Sequence, residues 1–134
     1  MSWTPETLAE ILGGKTDYAV EAESSTVLRI SNPEGIDAYI ALSGEQILIE
    51  SLLFAKAQVK NPAALNEDIL KTHHTFPLTA IAINSIDGED YYLAFGALST
   101  ESSAENIVLE IDYLFRNVEA FLEAYQEHLN LEVA

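Results

Sequence analysis

From Thr72 to Ser99 the chain reads THHTFPLTAIAINSIDGEDYYLAFGALS, and its apolar positions change from a helical to an alternating period. The run 78–84 is apolar, with Ile81 and Ile83 on one parity. The run 91–98 sets Tyr91, Leu93, Phe95 and Ala97 against Tyr92, Ala94, Gly96 and Leu98. Both runs read as strands buried on at least one face. Between them stands Asp87-Gly88, the pair a tight hairpin prefers because glycine enters positive φ freely and aspartate tolerates it. The pattern therefore predicts an antiparallel hairpin, with helices before and after it.

The N-terminal side begins helically. Thr4-Pro5-Glu6 is a helix start, with Thr4 as N-cap, Pro5 at the first helical position and Trp3 placed to pack on Leu8. Leu8, Ile11 and Leu12 make its apolar face, and Gly13-Gly14 are expected to close it. The period then alternates, predicting strands over 18–23, 27–31, 36–43 and 46–54, separated by turn residues at Ser24-Ser25, Asn32-Pro33-Glu34-Gly35 and Gly44-Glu45. Ile36, Ala38, Ile40 and Leu42 share one face, and Asp37, Tyr39 and Ala41 the other. Alternation is lost at Ile47-Leu48-Ile49 and Leu52-Leu53-Phe54, which marks a central strand or an interface.

Asn61-Pro62 repeats the cap-then-proline start and predicts a second helix to about Thr72, with Leu65, Ile69 and Leu70 inward. Ser102-Ser103-Ala104-Glu105 has capping-box spacing and opens a long helix to about Leu129. Ile107, Ile111, Leu114, Val118, Phe121 and Tyr125 follow a 4-3-4-3-4 spacing, and Val108, Phe115, Leu122 and Leu129 widen the stripe to about 140° at 100° per residue. A two-stranded coiled coil uses a narrower seam, so this helix is expected to lie across the sheet. The order is helix, four-strand meander, helix, β-hairpin, long helix: α+β with an antiparallel sheet.

The 134 residues suit a single domain over 1–134 that removes roughly 70% of its unfolded surface from water. There are 22 acidic and 6 basic residues, a formal net charge of −16. Such a surface repels phosphate, so neither nucleic acid nor insertion into an anionic membrane is expected, whereas a basic protein segment is attracted. The absence of cysteine excludes disulfides, thiol catalysis and Cys-ligated metals. The beginning of the chain lacks the charge and apolar pattern of a signal peptide, and no run approaches the roughly 18 apolar residues of a membrane helix. A cytoplasmic location is the expectation.

No motif adds catalytic, cofactor or metal chemistry. His73-His74 with Glu67 and Asp68 are candidate metal ligands, but adjacent helical side chains diverge by about 100°, and imidazoles near a helix C-terminus already satisfy its carbonyls. Asp87, Glu89 and Asp90 lack the ligand ladder of a calcium loop and read as a solvated turn. Ser99, Ser102 and Ser103 serve a helix cap rather than a triad with His128. The glycines Gly13, Gly14 and Gly96 fit no phosphate loop, and Tyr91-Tyr92 place one ring on each strand face.

On these residues the chain resembles known proteins. Its order of elements is similar to the type III secretion chaperone fold, with an extra short strand at Tyr18. The stretches FPLTAIAI and DGEDYYLAFGALS, followed by a long acidic helix, resemble the small bacterial YjfI family over essentially the whole chain. The resemblance implies an acidic cytoplasmic protein, a homodimer, and association with a PspA-like envelope-stress protein.

Two function classes follow. The first is a non-catalytic protein-binding module or chaperone-like adaptor without cofactor. With the long helix over one side of the sheet, Tyr39, Leu48, Leu52 and Tyr92 are expected on the other, as a surface for a basic or amphipathic partner segment. The second is a small enzyme with scattered carboxylates and histidines in a closed polar pocket.

Overall fold

The computed structural model describes residues 3–130. Its helices are α1 (Pro5–Lys15), α2 (Pro62–Thr72) and α3 (Ala104–Ala124). Its strands are β1 (Ala19–Ala22), β2 (Val27–Ser31), β3 (Asp37–Ser43), β4 (Gln46–Ala55), β5 (Ala80–Ile86) and β6 (Glu89–Ser99). Short 3-10 turns lie at Lys56–Gln58, His73–Thr75 and Gln126–His128. The six strands join in one antiparallel sheet ordered β1-β2-β3-β4-β6-β5. This is the α+β architecture that the hydrophobic pattern predicts, hairpin included: Asp87 and Gly88 both take positive φ, 51° and 83°.

The N-cap of α1 is as expected, with the Thr4 hydroxyl accepting from the Thr7 amide at 3.2 Å. Its end is not. The helix continues through Gly13 and Gly14, neither of which takes positive φ. Thr16 terminates it instead, donating both its amide (3.1 Å) and its hydroxyl (2.6 Å) to the Leu12 carbonyl. Leu8 and Leu12 are fully buried and hold the helix on the sheet. Trp3 packs against the core and its indole N–H donates to the Ser102 carbonyl at 2.7 Å, which fastens the start of α1 to the approach to α3.

The helices lie on one face. α1 touches β1 and β2, while α3 crosses β4 and β6. Between these layers Leu28, Ile30, Ala38, Ile40, Ile47, Ile49, Tyr92 and Ala94 meet Ile107, Ile111, Leu114, Val118, Phe121 and Tyr125, all buried. Each large aliphatic side chain so removed from water contributes roughly 1.5–3 kcal/mol before conformational entropy is counted. The α3 stripe is thus the one its spacing predicts, but the helix stops at Ala124 rather than near Leu129. Beyond it the chain tightens into the 126–128 turn, and Leu129 forms an isolated antiparallel bridge with Val59. In α2 the inward residues are Leu65 and Ile69; Leu70, expected inward, is 73% exposed because one step of the helix turns it about 100° away from Ile69.

β4 is interior, between β3 and β6, and its lost alternation has a local cause. The β4–β6 register shifts between Leu52 and Phe54, a bulge that turns Phe54 inward although its parity opposes that of Ile47 and Ile49. The Phe54 ring then packs 5.2 Å from that of Tyr92. Among the described residues no helix is long and apolar enough to cross a membrane.

Candidate protein-binding surface

The sheet face away from the helices follows from register alone. Tyr39 pairs with Glu50 and Glu50 with Phe95; Ala41 pairs with Leu48 and Leu48 with Ala97; Leu52 pairs with Leu93 and Leu93 with Ala82. Because alternate residues of a strand share a face, these side chains form three rows across the middle of the open side. Tyr39 is 39% exposed and Leu52 48%, while Leu48 and Phe95 are half-buried. Leu93 is buried yet lies outside the main core cluster, screened by its neighbours on the open face. A shallow hollow of about 230 Å³ runs between Leu48, Glu50, Ala82, Leu93 and Phe95.

Three of the four residues singled out in the sequence are therefore brought together: Tyr39, Leu48 and Leu52. Tyr92 is not. It is 1% exposed on the helix side, and its hydroxyl donates to Asn66 Oδ1 of α2 at 2.5 Å. The physical reason lies in β6, where Tyr92, Ala94, Gly96 and Leu98 face inward. Small Ala94 and Gly96 let α3 come close, so close that a Cβ on Gly96 would collide with the Glu110 carboxylate. The open face takes Leu93 and Phe95 instead. The small residues of that parity were the available signal for which side the helix covers.

Electrostatically the face is acidic. Glu50 is half-buried among apolar side chains, and burial raises its carboxyl above the ordinary value. Its cross-strand neighbours are Tyr39 and Phe95, neither of them a cation. In the same row Arg29 stands beyond Tyr39, but it is engaged by Glu21 and, at 3.5 Å, by Glu23. Asp37 accepts from the Ser31 hydroxyl at 2.5 Å near the same edge.

The His73-His74 pair and the buried Glu110 do not converge on one pocket. His73 Nδ1 accepts from the Ile81 amide at 3.1 Å, and His74 is exposed. Glu110 is buried under α3 against Gly96, its carboxyl raised by desolvation. Asp68 meets His128, at 2.9 Å, rather than the His73-His74 pair beside which the sequence places it.

A short helix, a strand meander, a second helix, a hairpin and a long crossing helix define the type III secretion chaperone-like class of fold. One chain of the HopA1–SchA chaperone–effector complex is similar to the present structure, with TM-score 0.65 and 12% identity over 87% of this chain and 90% of that one. Escherichia coli YbjN is similar at TM-score 0.70, with 19% identity over 92% and 93% of the two chains. The chain itself belongs to the family described as "Uncharacterized protein conserved in bacteria (DUF2170)", which it matches over residues 2–129. It is 29% identical over 131 residues to "Uncharacterized protein YjfI" of Escherichia coli (strain K12), covering 96% of this chain and 98% of that protein. The resemblance carried by the hairpin wording holds over nearly the whole chain.

Proposed function

We infer that the chain, acting as one domain over residues 1–134, is a non-catalytic cytoplasmic adaptor that takes up an amphipathic, basic-flanked segment of a partner protein on its open sheet face. The observation that carries this reading is Glu50, a partly desolvated carboxylate between Tyr39 and Phe95 with no cation opposite it. An apolar stripe bearing one lysine or arginine would cover Tyr39, Leu48, Leu52 and Phe95 and supply the charge that Glu50 lacks. The overall charge of −16 adds long-range attraction for the same partner. Under the family resemblance the partner is a PspA-like coiled-coil protein. The separation of His73, held by the Ile81 amide, from Glu110, buried against Gly96, favours this reading over a small enzyme.

A homodimer is compatible with it, on another surface. Segment 47–54, which the lost alternation marks as a central strand or an interface, is interior to the sheet and has its backbone paired on both sides. Strand β5 is instead an edge, with no charged side chain from Ala80 to Ile86 and with Ile83 exposed. Together with Leu70 and Tyr92 it borders a hollow of about 280 Å³ against α2. Two strongly acidic copies repel least where neither carries charge, so a twofold pairing through β5 leaves the open face for the partner.

Fluorescence anisotropy of a labelled PspA-like helical segment tests the assignment. Binding is expected to weaken at least about tenfold on Leu52→Asp, the loss of a packed apolar anchor. Added salt should slow association more than it speeds dissociation. Folded protein with no affinity for that segment at low salt would contradict the reading.

A further inference from the structure

The C-terminal turn and helix α2, distant in sequence, bring together Asp68, Glu127 and His128. One donor atom from each lies within 4.8 Å of the others, and His128 Nε2 is 2.9 Å from Asp68 Oδ2. We propose that these three side chains form a binding site for a divalent transition ion of the zinc class, a site independent of the open-face reading.

The spacing suits an ion. Ligands bound at about 2.0–2.2 Å lie about 2.8–3.6 Å apart at tetrahedral or octahedral angles, and the imidazole–carboxylate pair already has that separation. Glu127 is exposed, so its carboxylate is free to close the remaining gap by a rotamer change. One imidazole with two carboxylates favours zinc, cobalt or nickel over calcium and magnesium, which prefer all-oxygen shells. Three protein ligands also leave a coordination position for water or for a group from a partner.

The donors are held rather than merely near. The His128 amide donates to the Tyr125 carbonyl at 3.0 Å and its own carbonyl accepts from the Lys60 amide at 2.9 Å, so the turn is fastened on both sides. Next to it Asn130 donates to the Gln58 carbonyl at 2.7 Å, and Leu129 bridges Val59. On the α2 side the Thr72 hydroxyl donates to the Asp68 carbonyl at 2.6 Å and meets the Tyr125 hydroxyl at 2.7 Å. The His128 side chain is largely enclosed, 18% exposed, and that of Asp68 is about a third exposed, at 35%. Preorganisation of this kind lowers the cost of assembling a site. A bound ion would cross-link the 126–128 turn to α2, the helix that borders the β5 hollow.

Isothermal titration of chelator-treated full-length protein with zinc chloride, and separately with magnesium chloride, tests the proposal. Zinc is expected at one ion per chain, with a higher thermal unfolding midpoint and a shift or broadening of the His128 imidazole NMR signals. Affinity should fall at least about tenfold in His128→Gln and Asp68→Asn. Because the His128 side chain also bonds Asp68 and so ties the turn to α2, Glu127→Gln is the decisive variant: its exposed side chain can change without unfolding the protein, and it too should weaken zinc. His73→Gln and His74→Gln should leave zinc affinity unchanged. No one-to-one binding or equal affinity for magnesium would overturn the site and leave only a hydrogen bond between His128 and Asp68; zinc binding untouched by Glu127→Gln would overturn the three-residue assignment.

Discussion

The carboxylate of Glu110 on α3 fills the space above the α-carbon of Gly96 on β6, where any larger residue would meet it. At this point helix and sheet meet through a contact between a buried acid and a missing side chain. Gly96 does not take positive φ, so the collision and not backbone strain decides the effect of an added methyl. Gly96→Ala is expected to destabilise by about 1–3 kcal/mol, as overpacking does. Combining it with Glu110→Ala should recover part of the loss, and a double-mutant cycle in urea would measure the coupling.

Glu110 itself gives a pH signature. Burial raises its carboxyl above the ordinary value of 4.5, so the native state holds the proton more tightly than the unfolded chain does. Stability from this group therefore falls as pH rises from the ordinary value through the raised one, and the penalty is complete above it. Glu110→Gln should raise the unfolding midpoint at pH 7 and lose its advantage near pH 4. A midpoint difference that is constant across this range would contradict the assignment.

Salt should also stabilise. With 22 acidic residues against 6 basic ones, repulsion is stronger in the folded chain than in an expanded one. Raising ionic strength from a few millimolar to about 0.15 M shortens the screening length to roughly 8 Å. Calorimetry should show the midpoint moving up, whereas a fall would mean that pairs such as Arg29 with Glu21 and Glu23 dominate.

Self-association through the uncharged edge makes its own prediction. Leu70 is 73% exposed beside β5, so Leu70→Asp should leave the fold intact and add a negative charge at the proposed dimer contact. Light scattering should give twice the chain mass for the unaltered protein and a single chain mass for the variant.

The sequence displayed the fold well where periodicity was long. The α3 stripe, the Asn61-Pro62 start and the Asp87-Gly88 turn each follow from local chemistry that tertiary structure had no cause to override. It was less clear where a tertiary contact decides. Gly13-Gly14 carry the usual stop signal, yet burial of Leu8 and Leu12 and the double hydrogen bond from Thr16 extend the helix past them. Which face of β6 is open depends on how near α3 approaches, so Tyr92 was assigned to the wrong side and Phe95 overlooked. The meeting of Asp68 with His128 spans sixty positions and has no local pattern at all.

In the proposed function the open sheet face, not the helical side, receives the partner. Backbone amide and side-chain methyl NMR of the labelled protein, titrated with a basic amphipathic helical peptide, tests it most directly. Perturbations are expected at Leu48, Glu50, Leu52 and Phe95, weakened in Glu50→Gln, with Leu8, Ile107 and Ile111 beneath the helices unchanged. Perturbations confined to the helices, or none at peptide concentrations that saturate an acidic surface non-specifically, would contradict it.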